Sequence, residues 1–178
     1  MVKKKIGILG GTFDPPHKGH LAISEFSIKK LKLHYVIWAI TMRNPFKKKP
    51  LLNLNKRVLL SKKITRSYKK IRIKSYDRIT RSSETTNLLN YLKKKERNTR
   101  YFFLMGADNL INFHRWKNWK KIAKNCQITV YPRKGYVKKS LNSVAFRTLG
   151  KTGVLFLKSK MYNISSSKIR KNYLKYRY

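Results

Sequence analysis

Short runs of apolar and β-branched residues recur along the chain and alternate with longer stretches of helical character. The short runs predict strands at residues 6–9, 35–40, 71–76, 101–105, 127–131 and 154–157. The longer stretches predict helices at residues 20–33, 54–65 and 84–95. Strands that alternate with helices are typical of βαβ units, in which a parallel sheet is buried on both faces. The pattern therefore predicts an α/β fold with a Rossmann-like, doubly wound parallel sheet, as a single domain over residues 1–178.

The segment that follows the first strand differs from the rest of the chain. Residues 7–20 read GILGGTFDPPHKGH and contain little of the lysine found elsewhere. In doubly wound sheets, ligands bind beyond the carboxyl ends of the strands, which is where this segment lies. We expect Gly10 and Gly11 to let the chain turn sharply and to let a ligand approach the backbone, and Thr12 to offer a hydroxyl.

Two histidines lie at the N-terminus of the helix predicted after Pro16. The free N–H groups of a helix start favour anions. His17 and His20 are three residues apart, so they can face the same ligand as donors whose charge changes near neutral pH. This arrangement suits a nucleoside triphosphate. The alternative, two structural histidines in a capping turn, stays open.

Other phosphate and metal motifs are missing from the sequence. It contains neither the G-x-x-x-x-G-K-[ST] loop nor the G-x-G-x-x-G fingerprint. A His-x-x-His pair can ligate zinc, but no cysteine or third histidine lies near it in sequence. We therefore predict no protein-bound metal at this segment.

Charge is the extreme feature of the composition. The 178 residues include 45 Lys and Arg against 6 Asp and Glu, giving a net charge of +39. Clustered cations suit nucleic acid, but the lysines are spread along the chain without a recognition motif, so composition bias is favoured over a nucleic-acid partner. In either case the field attracts anionic substrates. The scarce carboxylates Asp14 and Asp108 lie in unusual stretches and become candidate functional groups.

The cellular compartment is predicted from three features: membrane spans, a signal peptide and disulfides. Its longest apolar runs are far shorter than the roughly 20 residues that a membrane span requires, and the apolar part of its N-terminus is too brief for a signal-peptide core. The single cysteine, Cys126, cannot form an internal disulfide. We expect a cytoplasmic protein with no membrane partner.

Four motifs, in a fixed order, carry a family resemblance. The stretch GGTFDPPHKGH resembles the HxGH element of the nucleotidylyltransferase superfamily. Three further stretches resemble, more closely, motifs of the bacterial nicotinate-nucleotide adenylyltransferases. They are GADNLINFHRWKNW at 106–119, YPRKGY at 131–136 with Lys134 in place of proline, and ISSSKIR at 164–170 with Ser167 in place of threonine. The resemblance spans essentially the whole chain.

The resemblance implies an ATP site formed by the ends of two strands and the start of the last helix. The residues that it assigns there are Gly10, Gly11, Thr12, His17, His20, Gly106, Asp108, Ser166 and Arg170. The two histidines would contact the triphosphate and, with Arg170, be the catalytic residues. Asp108 would accept hydrogen bonds from the ribose hydroxyls.

It also implies a second site, for nicotinate mononucleotide. The residues assigned there are Asn44, Lys47, Thr85, Trp116 and Arg133. Trp116 would stack on the pyridine ring, and backbone amides just beyond it would receive the ring carboxylate. Asn44, Lys47 and Arg133 would help to hold the phosphate. Near Thr85, this chain has Glu84 and Asn87 where the family has tyrosine and aspartate.

The implied reaction transfers AMP from ATP, with Mg²⁺, to nicotinate mononucleotide. The products are nicotinate adenine dinucleotide and pyrophosphate. Because the attacking group is already an oxyanion, the reaction needs no general base, which fits a site poor in carboxylates.

Other readings of the same residues remain. Nicotinamide mononucleotide could be the acceptor, phosphopantetheine adenylyltransferases and cytidylyltransferases share the HxGH chemistry, and a noncatalytic RNA binder could have kept the fold. Phe113, Trp116 and Trp119 also fit the packing face of one helix. Asp108 and the serines at 165–167 also fit helix caps.

Overall fold

The computed structural model describes residues 4–158 and 164–175, and within these ranges six parallel strands form one sheet. The strands are β1 (Lys4–Gly11), β2 (Tyr35–Ile40), β3 (Ile71–Lys74), β4 (Thr99–Gly106), β5 (Gln127–Tyr131) and β6 (Val154–Phe156). Their spatial order is β3-β2-β1-β4-β5-β6, so the winding reverses between β1 and β4. The predicted doubly wound α/β fold is confirmed. The single domain over residues 1–178 includes positions outside the described ranges and stays a prediction.

Helices connect the strands and cover both faces of the sheet. They are α1 (Lys18–Lys30), α2 (Leu54–Ile64), α3 (Asp77–Thr80), α4 (Thr85–Lys95), α5 (Ala107–Ile111), α6 (Trp119–Asn125), α7 (Val137–Leu141), α8 (Val144–Gly153) and α9 (Ser166–Lys175). Side-chain caps mark the start of several of them: His17 caps α1, Asn53 caps α2 and Ser143 caps α8. In the described part of the chain, each helix is too short or too polar to span a membrane.

Alternating side chains of the central strands supply two cores, one on each face. Ile6 and Ile8 of β1 belong to one cluster, which includes Leu89 of α4. Leu9 of β1 and Val36 and Trp38 of β2 belong to the other. This alternation follows from the two-residue repeat of a strand. The strand side chains are thus used in the cores, and the loops at the carboxyl ends of β1, β2 and β4 are available to form a site.

The loop after β1 turns at a residue other than the one expected. Gly10 and Gly11 remain in β1, and the turn is made by Phe13, whose φ is 49°. Interpreting the glycine pair as the turn was therefore wrong. At Gly10 the sheet needs a small residue, because a Cβ there would lie 3.2 Å from Cζ of Phe103. The Phe13 ring is buried and stacks on Trp38 at 4.9 Å between centroids, which holds the left-handed turn in place.

Candidate active site

The two histidines after β1 are locked to each other and to the start of α1. Nδ1 of His17 accepts a hydrogen bond from the backbone N–H of Gly19 at 3.1 Å. The backbone N–H of His17 donates to Nδ1 of His20 at 3.2 Å, and the ring centroids are 3.8 Å apart. An imidazole nitrogen that accepts carries no proton, so the proton of each neutral ring is assigned to Nε2. The capping arrangement thus exists, and it aligns two further N–H donors.

Both rings are uncharged near neutral pH. Burial, together with the nearby positive charge of Arg133, lowers the pKa of His17 to about 4. Burial lowers the pKa of His20 well below its usual range, and His17 and Lys47 add to that effect. The close packing also explains the glycine between them: a Cβ on Gly19 would lie 2.9 Å from Nδ1 of His17.

The start of α9 docks against the same loop. The Ser166 hydroxyl donates to the carbonyl oxygen of Pro15 at 2.9 Å. Nη1 of Arg170 donates to the carbonyl oxygen of Asp14 and lies 3.5 Å from the Asp14 carboxylate. Ser165 is the residue that caps the helix, since its hydroxyl accepts from the N–H of Lys168 at 3.2 Å. The structure therefore brings Ser166 and Arg170 to the loop that carries the histidines.

At the end of β4, Asp108 pairs with Arg133, a contact that the motifs did not indicate. Nη1 of Arg133 donates to Oδ2 of Asp108. Gly106, rather than Asp108, is the N-cap residue of α5. A Cβ on Gly106 would lie only 2.5 Å from Oδ1 of Asp108, so the carboxylate lies over the glycine. Asp108 and Arg133, which the resemblance assigns to different substrates, are therefore direct neighbours.

A cavity of about 690 Å³ opens at the carboxyl edge of β1, β2 and β4. Gly10, Gly11, Asn44, Thr85 and Trp116, all predicted site residues, are in its lining. Two others assigned to the mononucleotide, Lys47 and Arg133, lie close enough to His20 for their positive charges to lower its pKa. The predicted residues thus lie in three places: the cavity wall, residues 12–20 (the histidine loop) with the α9 residues that dock on it, and the Asp108–Arg133 pair after β4.

Aromatic packing fixes the tryptophan in the cavity wall. The Trp116 ring makes T-shaped contacts with Phe103 at 5.9 Å and Phe113 at 5.4 Å between centroids. Phe113 lies in a 3₁₀ turn, Trp116 is extended and Trp119 begins α6, so these three do not form one face of a continuous helix. The extended conformation at Trp116 lets its ring line the cavity.

The start of α4 also lines the cavity, beside Lys117. Nζ of Lys117 lies 2.8 Å from Oε1 of Glu84, the N-cap residue of α4. The hydroxyl of Thr86 donates to the carbonyl oxygen of Lys117 at 3.2 Å. The negative charge of Glu84, one of the departures from the family motif, is therefore balanced at the cavity edge.

Asp77 and Arg57 also organise the site, although the sequence did not single them out. One Asp77 oxygen accepts from the Thr41 hydroxyl at 2.8 Å, the Met42 N–H at 2.7 Å and the Ser83 hydroxyl. Scarcity of carboxylates was the available signal for Asp77. Arg57 is one basic residue among 45, and nothing local distinguishes it.

The chain matches known nucleotidyltransferases over nearly its whole length. A family model described as Cytidylyltransferase-like matches residues 8–172. A "Probable nicotinate-nucleotide adenylyltransferase" of Pelagibacter ubique is 48% identical over 169 residues, covering 95% of this chain and 93% of that protein. A protein of the same name from Rhizobium meliloti is 35% identical over 150 residues, covering 84% of this chain and 79% of that protein. The chain belongs to the nicotinate-nucleotide adenylyltransferase family, and the motif resemblance is confirmed.

A solved structure shares the fold at lower identity. The nicotinic acid mononucleotide adenylyltransferase of Plasmodium falciparum complexed with NaAD superposes with a TM-score of 0.72 at 20% identity. The match covers 94% of this chain and 83% of that one.

Proposed function

We propose that this enzyme transfers the adenylyl group of ATP to nicotinate mononucleotide, giving nicotinate adenine dinucleotide and pyrophosphate for NAD biosynthesis. The observation that carries the proposal is the pair of fixed Nε2–H donors, on His17 and His20, beside a cavity lined by Trp116. The relative named as a probable nicotinate-nucleotide adenylyltransferase, at 48% identity, supports the same substrates. With Cys126 buried as its one thiol, the protein suits the reducing cytoplasm, where we place the reaction.

The triphosphate of ATP would bind at the start of α1. The two Nε2–H groups would donate toward anions there, and the positive end of the α1 helix dipole adds a favourable field. Arg170, held beside Asp14, supplies positive charge from α9. Neutral imidazole donors suit a site whose field is already strongly positive, because they bind phosphate oxygens without adding mutual repulsion.

The pyridine ring would occupy the cavity against Trp116. Its carboxylate suits the first turn of α4, where the N–H groups of Thr85 and Thr86 precede the helical hydrogen-bond ladder. Lys117 lies 2.8 Å from Glu84 and so reduces the repulsion between Glu84 and that carboxylate. This geometry favours nicotinate over nicotinamide.

The chemistry is a direct displacement. An oxygen of the mononucleotide phosphate forms a bond to the α-phosphorus of ATP, and the bond to the bridging oxygen breaks, so pyrophosphate leaves with the electron pair. A phosphate monoester has a second pKa near 6, so the nucleophile is deprotonated at neutral pH. The protein aligns the two reactants and neutralises charge on the departing group. His17, His20 and Arg170 perform the second task.

Magnesium would arrive on the nucleotide and supply further charge neutralisation. Among the described residues, no cluster of three or more His, Cys, Asp or Glu side chains could hold a metal. The nearest carboxylates are already engaged: Asp14 by Leu51, Leu52 and Arg170, and Asp108 by Arg133. We therefore propose that Mg²⁺ is bound chiefly by the phosphates of ATP, as part of the substrate.

The test is to follow the α-phosphorus. The protein is incubated with Mg²⁺, ATP labelled with ³²P at the α-position, and nicotinate mononucleotide. We expect the label in nicotinate adenine dinucleotide, at a rate that requires the acceptor, and none bound covalently to protein. Label that stays in ATP, or that appears on protein before it reaches the dinucleotide, would overturn the proposal.

A further inference from the structure

Arg57, in the first turn of α2, is a buried cation that donates hydrogen bonds to four main-chain carbonyls. Its side chain is 2% exposed. Nε donates to the carbonyl oxygen of Leu52 at 2.9 Å, and Nη1 donates to those of Thr12 at 2.5 Å and Thr41 at 2.8 Å. Nη2 donates to the carbonyl oxygen of Met42 at 3.2 Å. Burying a guanidinium without such partners would cost a large free energy. These hydrogen bonds therefore fix the position of the Arg57 side chain.

The carbonyls that Arg57 binds belong to the two substrate regions. Thr12 follows β1 in the histidine loop, whereas Thr41 and Met42 begin the segment that leaves β2, residues 41–52. Leu52 ends that segment. One side chain therefore fastens both ends of residues 41–52 to the loop that carries the histidines.

The fastened segment carries groups proposed for the acceptor. Asn44 and Phe46 line the cavity, and Lys47 is close enough to His20 to influence its titration. Asp14, in the histidine loop, anchors the end of the same segment by accepting from the N–H groups of Leu51 at 2.7 Å and Leu52 at 3.0 Å. Hydrogen bonds of Arg57 and Asp14 thus set the position of residues 41–52 relative to the histidine loop.

We infer that Arg57 is a positioning residue for adenylyl transfer. It holds residues 41–52, which carry groups proposed for the acceptor phosphate, in place against the histidine loop, where ATP is proposed to bind, and it touches neither substrate. The inference rests on the proposed function. In-line displacement depends steeply on alignment, and a misplacement of about 1 Å can cost about a hundredfold in rate. Lysine keeps the charge, but its single nitrogen cannot span carbonyls on two loops as the planar guanidinium does.

The experiment compares the wild-type protein with Arg57→Lys and Arg57→Met. Each protein is assayed for dinucleotide formation at saturating substrates, for the Kd of ATP by calorimetry and for thermal unfolding. We expect kcat to fall by about a hundredfold in both variants, with the Kd of ATP changed less than about threefold. This split separates alignment from loss of the ATP site.

A matched control removes the effect of stability. Leu92→Ala truncates a buried side chain at the far end of α4, near the start of β4, and should lower Tm while leaving kcat unchanged well below Tm. The inference is overturned if Arg57→Lys keeps kcat within threefold, if ATP affinity falls in parallel with kcat, or if Leu92→Ala loses kcat similarly. It is also overturned if neither Arg57 variant shows cooperative unfolding at 10 °C, since Arg57 then serves the fold. A wild-type protein that forms no dinucleotide would instead refute the proposed function.

Discussion

The backbone N–H of His17 donates to Nδ1 of His20, so the first histidine orients the ring of the second through its main chain. Nδ1 of His17 is in turn an acceptor for Gly19. Structural capping and ligand binding are therefore not competing roles for this pair. The cap uses one nitrogen of each ring, and the other nitrogen is assigned as the donor.

Removal of the second donor should be costly to turnover. We expect His20→Ala to lower kcat at least about a hundredfold, the scale observed when one preorganised donor to a developing charge is lost. The measurement is the steady-state rate of dinucleotide formation. His34→Ala is the matched control, because His34 is exposed and accepts from Lys5 at the opposite edge of the sheet. Near-normal turnover of His20→Ala would refute the role given to this ring.

The lowered pKa of His17 should appear in the pH dependence of stability. Its pKa is about 4 in the folded protein and near 6.5 when unfolded, so the unfolded state takes up the proton first as pH falls. The stabilisation is present above about pH 6.5 and is lost progressively toward pH 4. We therefore expect the Tm of the wild-type protein to fall through this window.

His17→Asn isolates that contribution, measured by calorimetry from pH 7 to pH 4.5. Asparagine is a strong N-cap residue, so stability at pH 7 should change by no more than about 0.5 kcal/mol. The variant should lose less Tm than the wild type as pH falls, because it lacks the titrating ring. Parallel Tm curves for the two proteins would contradict the assigned environment of His17.

Gly106 should be intolerant of even a methyl group. In Gly106→Ala the new Cβ would displace the Asp108 carboxylate, from which it would lie at 2.5 Å, and weaken the pair with Arg133. We expect KM for ATP to rise at least about tenfold, as for the loss of a hydrogen bond to a charged group. In an Asp108→Ala background the same change should add little. Equal effects in both backgrounds would mean that Gly106 acts independently of Asp108.

The ion pair at the cavity edge should influence the choice of acceptor. Lys117→Met leaves Glu84 uncompensated, so KM for nicotinate mononucleotide should rise about two- to fivefold, the scale of an exposed ion pair. KM for nicotinamide mononucleotide should change less, because that ring has no carboxylate to be repelled. Adding Glu84→Gln should reverse the effect, and 0.5 M salt should weaken it. An equal rise in KM for both acceptors would refute this electrostatic explanation.

The strands and the longer helices of this fold were predictable, and the short helices were not. β2 and β5 have the predicted bounds, because strands of a buried parallel sheet are rich in apolar and β-branched residues. β3 ends at Lys74 instead of residue 76, since Asp77 starts α3 and bonds to Thr41 and Met42, just after β2. The helices α3 and α5–α8 were missed: most are only four to seven residues long, too few for a periodic signal.

The candidate site shows the same division. His17 and His20 could be singled out by their type and spacing after a strand, and Trp116 could be assigned through the family motif that contains it. The Asp108–Arg133 pair and the contacts of Arg57 could not, because each joins segments that are distant in sequence. Long-range contacts of this kind depend on the folded arrangement and leave no local pattern.

Acceptor selectivity tests the central claim most directly. Initial rates of pyrophosphate release from ATP and Mg²⁺ are measured with nicotinate mononucleotide, nicotinamide mononucleotide and phosphopantetheine. We predict release with nicotinate mononucleotide far above that with the other two. Equal or faster release with either alternative would contradict the assignment of the cavity around Trp116, and no release with any of the three would contradict adenylyl transfer itself.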